Sequence, residues 1–284
     1  MHPLHGKVAL ITGGSSGIGR ATALRLASFG TRVAVAARTA ETLDEVARQI
    51  KALGVEALTV PTDVTDVEQC RQAVEATIAQ FGRLDVLLCS AGLSMRGMFA
   101  DSEPAALERV MRVNFFGTLY PTYFAVPHAK RSHGSLVAIS SLTGKRGTPS
   151  YAVYGASKFA VRGLYDSLRL ELAGDGVHVG VVSPGFVATP LRERVVDARG
   201  RPWPVPPVPP FRIWPLEKCV DRVVRLIVKR RPHALLPAFV SPLLALDEIT
   251  GGRLGDWYLG GKFNPADATP PLKDEGGRMK DELV

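Results

Sequence analysis

Short apolar runs alternate with longer segments of helical hydrophobic spacing along the first 235 residues of the chain. The runs are nearly unbroken by polar residues, which is typical of strands that helices cover on both faces of a parallel sheet. We therefore expect an α/β fold with a single doubly wound parallel sheet. The predicted strands are 8–11, 33–37, 56–60, 84–89, 136–140 and 177–182, and the predicted helices are 17–29, 39–53, 65–81, 103–130 and 154–173, with Thr39 and Thr65 as N-caps.

The regular alternation stops after Ser183. Residues 190–242 contain eleven of the 21 prolines, which indicates a long loop rather than further strands. We interpret 186–215 as a Pro-rich substrate lid within one domain that covers 1–284, in preference to a linker between two domains. A helix over 216–230 and a short strand over 234–236 follow. The C-terminal extension, 238–284, ends in a polar tail that we expect to be poorly ordered.

Composition excludes some classes of protein. Charged residues are 22% of the chain and hydrophobic residues 46%, so the chain is globular. The net charge of +8 is concentrated in residues 190–232, which hold eleven Lys or Arg and four acids. A solvated surface explains this patch better than nucleic-acid binding, because no stacking platform or motif accompanies it. Three distant cysteines, no leader and no long apolar run predict a cytoplasmic protein without a metal site.

A glycine-rich turn follows the first predicted strand and leads into the first predicted helix. Glycines let a phosphate approach the backbone closely, and a helix N-terminus offers free N–H groups and a favourable dipole. The turn therefore predicts a dinucleotide site. We assign its phosphate contacts to Gly13, Ser15, Ser16, Gly17, Ile18 and Gly19.

The end of the second strand indicates which dinucleotide binds. NAD sites place an acid there for the ribose hydroxyls, but this chain has Arg38. A guanidinium pairs well with a 2′-phosphate, so we expect NADP(H). Asp63 and Val64, after the third strand, are placed to meet the adenine ring, although a plain turn explains Asp63 nearly as well.

A tyrosine, a lysine and a serine form a candidate catalytic set. Tyr154 and Lys158 are four residues apart on one helix face, and Ser141 follows the fifth strand. Carbonyl reduction needs a proton donor for the oxygen, and a phenol can supply it. We expect the Lys158 ammonium and the charged nicotinamide together to lower the pKa of Tyr154, and Ser141 to hold the substrate oxygen.

Together these motifs resemble the short-chain dehydrogenase/reductase family over about residues 5–235, with a Rossmann-type sheet. The matching motifs are Thr12-Gly13-x-x-x-Gly17-x-Gly19, Ser141 and Tyr154-x-x-x-Lys158. The resemblance implies Tyr154 as general acid/base, Lys158 also on the nicotinamide ribose, and Asn114 supporting a proton-relay water. It adds cofactor contacts at Ser90, Ala91, Gly92, Pro184, Gly185, Val187 and Thr189. Where the family has Asn-Asn-Ala-Gly, this chain has Cys89-Ser90-Ala91-Gly92, and Cys89 fits a small buried residue.

The expected activity is NADP(H)-dependent interconversion of an alcohol and a ketone or aldehyde. The C-terminal third, with its Pro-rich basic lid and apolar helix, resembles that of family members that act on lipid-like alcohols and ketones, which implies a bulky hydrophobic or lipid-like substrate. Trp203, Phe211, Ile213 and Trp214 form either apolar walls for it or ordinary core. The basic residues 229–231 and nearby apolar side chains indicate either peripheral membrane contact or a subunit interface. By family analogy we expect a homodimer or homotetramer. The alternatives are a non-catalytic NADP-binding sensor and a basic scaffold protein on the same fold.

Overall fold

The computed structural model describes residues 1–203 and 213–261. Within these ranges, seven parallel strands form one sheet in the order β3-β2-β1-β4-β5-β6-β7. The strands are β1 Val8–Thr12, β2 Arg32–Ala37, β3 Ala57–Pro61, β4 Val86–Cys89, β5 Ser135–Ile139, β6 His178–Pro184 and β7 His233–Leu236. The helices are α1 Gly17–Ala27, α2 Ala40–Ala52, α3 Val67–Phe81, α4 Pro104–Met111, α5 Gly117–Ser132, α6 Ala152–Glu171, α7 Leu216–Val228, α8 Val240–Ile249 and α9 Arg253–Gly260.

The two faces of the sheet each carry a hydrophobic core. Successive strand residues point to opposite faces, so Ala9 and Ile11 pack with α1, α2 and α7, whereas Val8 and Leu10 pack with α3, α5 and α6. Both sets are fully buried. The unbroken apolar strands thus reflect burial on both faces, and the predicted doubly wound sheet is confirmed.

The predicted long helix over 103–130 is interrupted. A π-helical turn, Arg112–Phe116, separates α4 from α5. Such a turn inserts one extra residue into a helix and is often found at functional sites. It carries Asn114, whose side chain is fully buried beside the cleft. One helix start is also shifted, because Asp66 rather than Thr65 caps α3 by accepting hydrogen bonds from two backbone N–H groups.

The C-terminal helices α8 and α9 are fastened to the loop between β5 and α6. Arg146 of that loop lies 2.8 Å from the carboxylate of Asp247 through its Nε atom, and its Nη2 atom donates to the carbonyl of Gly252 at 3.1 Å. The buried Asp247 also accepts from the N–H of Gly255 at 2.6 Å. None of the helices in the described ranges is long and apolar enough to cross a bilayer. The predicted polar tail lies outside the described residues.

Candidate active site

A cavity of about 1740 Å³ opens at the carboxyl ends of the strands. The turns after β1, β2, β3, β4 and β6 contribute to its wall, as expected for a ligand site of a doubly wound sheet. All of the predicted site residues line it except two, Gly19 and Asn114, which lie behind its wall. The lining residues are Gly13, Ser15, Ser16, Gly17, Ile18, Arg38, Asp63, Val64, Ser90, Ala91, Gly92, Ser141, Tyr154, Lys158, Pro184, Gly185, Val187 and Thr189.

The glycine-rich turn is shaped by close backbone contacts. Gly13 has φ +66°, and a Cβ atom there would lie 2.6 Å from the backbone nitrogen of Ala91. A Cβ atom at Gly19 would lie 2.9 Å from the carbonyl carbon of Gly13, so α1 packs directly under the turn. Ser16, the N-cap of α1, makes no side-chain hydrogen bond to the first helical turn. The N–H groups of that turn are therefore left to a ligand, which fits the diphosphate of a dinucleotide.

The far side of this cleft is formed by the segment after β6. A Cβ atom at Gly17 would lie 3.4 Å from the Cβ atom of Thr189, so the turn and this segment nearly touch. Val187 is buried and pairs with Trp214, which fixes the segment against α7. These contacts place Val187 and Thr189 across the cleft from the glycine-rich turn, and their role as cofactor contacts stays a prediction.

Arg38 and Asp63 differ in whether their side chains already have partners among the described residues. Arg38 is exposed at the cavity edge and makes no ion pair within the described part of the chain. Its guanidinium is therefore available to a phosphate. Asp63 accepts hydrogen bonds from the N–H and the hydroxyl of Thr65 at 2.9 and 2.8 Å, so it also stabilises its own turn. Val64 is buried against Gly117.

Tyr154, Lys158 and Ser141 meet at the end of β5, as their spacing predicts. The Nζ atom of Lys158 donates to the carbonyl of Ile139 at 3.0 Å and lies 5.9 Å from the ring centroid of Tyr154. The hydroxyl of Ser140 donates to the Lys158 carbonyl at 2.9 Å, which ties α6 to the strand end. Ser141 caps a short 3-10 turn, where its hydroxyl accepts from the N–H of Thr143.

Burial dominates the electrostatics of this group. It raises the pKa of Tyr154 to about 12, although a hydrogen bond with Ser141 acts in the opposite direction. Burial also lowers the pKa of Lys158 to about 8. The expected lowering of the Tyr154 pKa by Lys158 is thus not found among the chain's own groups, because desolvation of the phenolate is the larger effect. At neutral pH the phenol keeps its proton.

Asn114 connects three parts of the site. Its Oδ1 atom accepts from the N–H of Leu93 at 2.8 Å, and its Nδ2 atom donates to the Leu93 carbonyl and to the Ser157 hydroxyl, each at 2.9 Å. Ser157 in turn donates to the carbonyl of Tyr154 at 2.6 Å. Asn114 therefore clamps the loop after β4 to the helix that carries the tyrosine. Its role beside a proton-relay water stays a prediction.

Sequence reasoning missed the group around Tyr151. The Tyr151 ring lies 6.1 Å from the Tyr154 ring, and the Cζ atom of Arg96 lies 5.8 Å from its centroid. Burial raises the pKa of Tyr151, whereas the charges of Arg96 and Arg192 lower it. These residues come from three distant segments. Their only sequence signal is the position of Tyr151 one helical turn before Tyr154.

Helices α8 and α9 form an apolar wall of the cavity. This wall consists of Val240, Leu243, Leu244, Leu246, Leu254, Trp257 and Leu259. The sequence left open whether Trp203 and Trp214 form an apolar wall of the cavity or ordinary core. Neither lines the cavity: Trp203 is buried against Arg96, and Trp214 packs with Val187 and Leu236. For these two tryptophans the core interpretation is therefore confirmed. Phe211 lies outside the described residues.

The three cysteines are buried and unpaired, so Cys89 is the small core residue that was expected. Burial raises the pKa of Cys89 to about 11 and that of Cys70 and Cys219 to about 12, which keeps each thiol protonated. Within the ranges that the structure describes, no group of three or more His, Cys, Asp or Glu is placed to hold a metal ion.

Comparison with solved structures supports the architecture. A short chain dehydrogenase from Mycobacterium paratuberculosis bound to NAD superposes with a TM-score of 0.73 at 27% identity, covering 82% of this chain and 96% of that chain. An alcohol dehydrogenase from the archaeon Thermococcus sibiricus complexed with 5-hydroxy-NADP has the same fold, with a TM-score of 0.70 at 24% identity over 81% of this chain and 95% of that chain.

Sequence comparison assigns the family. The 11-beta-hydroxysteroid dehydrogenase 1A of Arabidopsis thaliana is 40% identical over 192 residues, which are 67% of this chain and 55% of the relative. The chain thus spans little more than half of that relative's length. A family model described as short chain dehydrogenase matches residues 7–200. With this match over more than half of its length, the chain belongs to the short-chain dehydrogenase family.

Proposed function

We propose that this chain is an NADP(H)-dependent oxidoreductase that interconverts a bulky hydrophobic alcohol with its ketone or aldehyde. The observation that carries the proposal is the meeting of Tyr154, Ser141 and Lys158 in one cavity with the glycine-rich turn. The cofactor, when bound, supplies or accepts a hydride at the substrate carbon. The other steps are carried by residues of this chain.

The protonation of Tyr154 suits the reductive direction. Its raised pKa keeps the hydroxyl protonated at neutral pH, so it can donate that proton to the carbonyl oxygen as the hydride arrives. Ser141, on the same side of the cavity, offers a second hydroxyl to hold that oxygen. The ammonium of Lys158 adds positive charge near the phenol and stabilises the phenolate that the transfer leaves behind.

Arg38 supports a preference for NADP(H). Its guanidinium makes no ion pair with any residue that the structure describes, and it lies at the cavity edge, on the segment where the adenine ribose of a dinucleotide lies in this fold. The two solved relatives bind NAD in one case and an NADP analogue in the other, so the neighbours themselves do not decide the cofactor. Arg38→Asp should weaken NADPH binding far more than NADH binding, measured by calorimetry. Arg131→Asp, exposed on α5 away from the cavity, is the matched control.

The size and lining of the cavity support a large apolar substrate. The wall from α8 and α9 is built of leucines and aromatic residues, and the curated relative is named for a hydroxysteroid. A panel of ketones of increasing size, assayed by NADPH absorbance, tests this directly. We expect kcat/KM to rise with apolar area, and a preference for the smallest ketones would contradict the proposal.

The assignment of Tyr154 is tested by Tyr154→Phe. We expect cofactor binding within about twofold of wild type and a loss of turnover of at least about 100-fold, the lower end for a general acid. Tyr123→Phe is the matched control, because Tyr123 is 70% exposed on α5. Full activity of Tyr154→Phe would overturn the mechanism. Cofactor binding without reduction of any carbonyl by wild type would favour the non-catalytic sensor.

The cytoplasmic location, the homodimer or homotetramer and the membrane contact stay predictions. Exposed apolar side chains on α8 and α9, such as Ile249 and Trp257, are compatible with either a membrane or a subunit surface. Gel filtration with light scattering and a vesicle co-sedimentation assay separate the two.

A further inference from the structure

The cavity wall carries more positive charge than its own acids neutralise. Three carboxylates line it, and two of them are already paired: Glu108 lies 2.7 Å from Arg112, and Asp247 lies 2.8 Å from Arg146. The third, Asp63, accepts hydrogen bonds from its own turn. Four further lining arginines make no ion pair with any acid in the described ranges, in addition to Arg38: they are Arg96, Arg109, Arg192 and Arg194.

Arg96 is held in place although no acid pairs with it. Its backbone N–H donates to the carbonyl of Val196 at 2.9 Å. Its guanidinium lies between two rings, with Cζ 5.8 Å from the centroid of Tyr151 and 5.9 Å from that of Trp203. The Nε atom reaches the hydroxyl of Ser150 at 3.4 Å, whereas the two terminal NH₂ groups have no acceptor within the described part of the chain. The half-buried fork is therefore positioned and has free donors.

Arg192 approaches the same place from the opposite segment. It ends the 3-10 turn Pro190–Arg192 and lines the cavity. Its charge, like that of Arg96, acts on the Tyr151 hydroxyl. The pairing of residues 95 and 196 brings these two segments together. Arg96 and Arg192 line the same cavity as Tyr154, so one extended substrate molecule that contacts Tyr154 can also contact them.

We propose that Arg96 and Arg192 form an anion-binding subsite, and that the substrate is a bulky apolar alcohol or carbonyl compound that also carries an anionic oxygen group such as a carboxylate. The inference rests on the proposed function, since it names the substrate class of the same cavity. A carboxylate would accept charge-assisted hydrogen bonds from both forks, which are stronger than bonds between neutral groups. The apolar wall of α8 and α9 would cover the remainder of the molecule.

The test compares a long-chain keto acid with its methyl ester, which differ in charge and share the reacting carbonyl. We expect wild type to have at least about tenfold higher kcat/KM for the acid. Arg192→Gln should lower kcat/KM for the acid by about 10- to 100-fold, the size expected for a lost hydrogen bond to a charged group, and change that for the ester by less than about threefold. Arg96→Lys keeps the charge but loses the fork, so its effect should be intermediate. Arg131→Gln, outside the cavity, is the matched control.

A second measurement separates the subsite from the reaction. A saturated fatty acid has no carbonyl to reduce, and its binding to the NADPH-loaded protein can be followed by calorimetry. If neither ketone is reduced but the fatty acid binds to wild type and not to Arg192→Gln, the proposed function fails and the subsite stands. If wild type reduces both the keto acid and its ester, the subsite is overturned by either of two results: Arg192→Gln changes kcat/KM for the two substrates by the same factor, or its kcat/KM values equal those of Arg131→Gln.

Discussion

Replacing Gly13 with alanine would place a methyl group against the backbone of the loop after β4. The new Cβ atom would lie 2.6 Å from the nitrogen and 2.8 Å from the Cα atom of Ala91, and neither atom belongs to a flexible side chain. Gly13 also has φ +66°, a conformation that an alanine adopts only with strain. Because Ala91 borders the predicted cofactor cleft, relief of the clash must widen the turn to which we assign the phosphates.

The two effects can be estimated separately. An alanine in the left-handed region costs about 1–2 kcal/mol, and overpacking against rigid neighbours costs about 1–3 kcal/mol more. Gly13→Ala should therefore lower the free energy of unfolding by about 2–5 kcal/mol. Gly54 offers a matched control, because its φ is +76° and a Cβ atom there would have nothing within 4 Å. Gly54→Ala should lower the free energy of unfolding only by the cost of the backbone strain, about 1–2 kcal/mol.

Urea denaturation measures both losses, and calorimetric titration with NADPH measures the cofactor. We expect the Kd of Gly13→Ala to rise at least about tenfold, equivalent to about 1.4 kcal/mol, while Gly54→Ala keeps the wild-type Kd. Equal stability losses in the two variants would show that the clash with Ala91 is relieved at no cost. An unchanged Kd in Gly13→Ala would refute the assignment of this turn to the phosphates.

Three further predictions concern buried charges. Burial lowers the pKa of Lys158 to about 8, so between about pH 8 and pH 10 the unfolded chain binds more protons than the folded chain. Over this range the free energy of unfolding of the wild type should therefore rise by about 2 kcal/mol relative to that of Lys158→Met. If urea denaturation gave a difference between the two proteins that did not change with pH, the prediction would be wrong. Asp247→Asn removes the charge that pairs with Arg146, so amide exchange in α8 and α9 should accelerate, with exchange in the sheet as the internal control. Asp85→Asn disturbs a buried carboxylate that accepts from the first N–H of β1 at 3.0 Å, so it should lower the free energy of unfolding by about 1–3 kcal/mol in urea denaturation. Asp44 is exposed, and Asp44→Asn should change this free energy negligibly.

The fold and half of the site could be predicted because their signals are local. A strand that is buried on both faces must be apolar at every position, so residues such as Val8 and Leu10 indicate the sheet directly. The glycine-rich turn and the Tyr154–Lys158 spacing are likewise short patterns with one geometric meaning. In each case the sequence separation is small enough for backbone geometry alone to fix the arrangement.

The remainder depends on contacts between distant segments. The π-helical turn at Asn114 replaces an ordinary helix because its buried amide must reach Leu93 and Ser157, which no local propensity encodes. The position of α8 and α9 over the cavity depends on the Arg146–Asp247 pair, whose members are separated by 101 positions. From the sequence, apolar residues such as Leu243 and Leu246 indicate a membrane contact or a subunit interface, and their place in the cavity wall could not be predicted without that pair.

The raised pKa of Tyr154 and the lowered pKa of Lys158 have one origin, because both groups lie in a cleft that strand ends and an apolar wall shield from water. Such a cleft disfavours an isolated charge and strengthens the interaction between two opposite charges at the same time. A proton leaving the phenol would create an anion that the Ser141 hydroxyl stabilises by a hydrogen bond, and in the proposed mechanism the Lys158 ammonium, held by the carbonyl of Ile139, adds the opposite charge. If the proposed mechanism holds, the burial that makes Tyr154 a weak acid also makes its reactivity depend on Lys158. Substitution of Tyr154 and Lys158 together should accordingly lower kcat little more than substitution of either residue alone, because the two act as one unit.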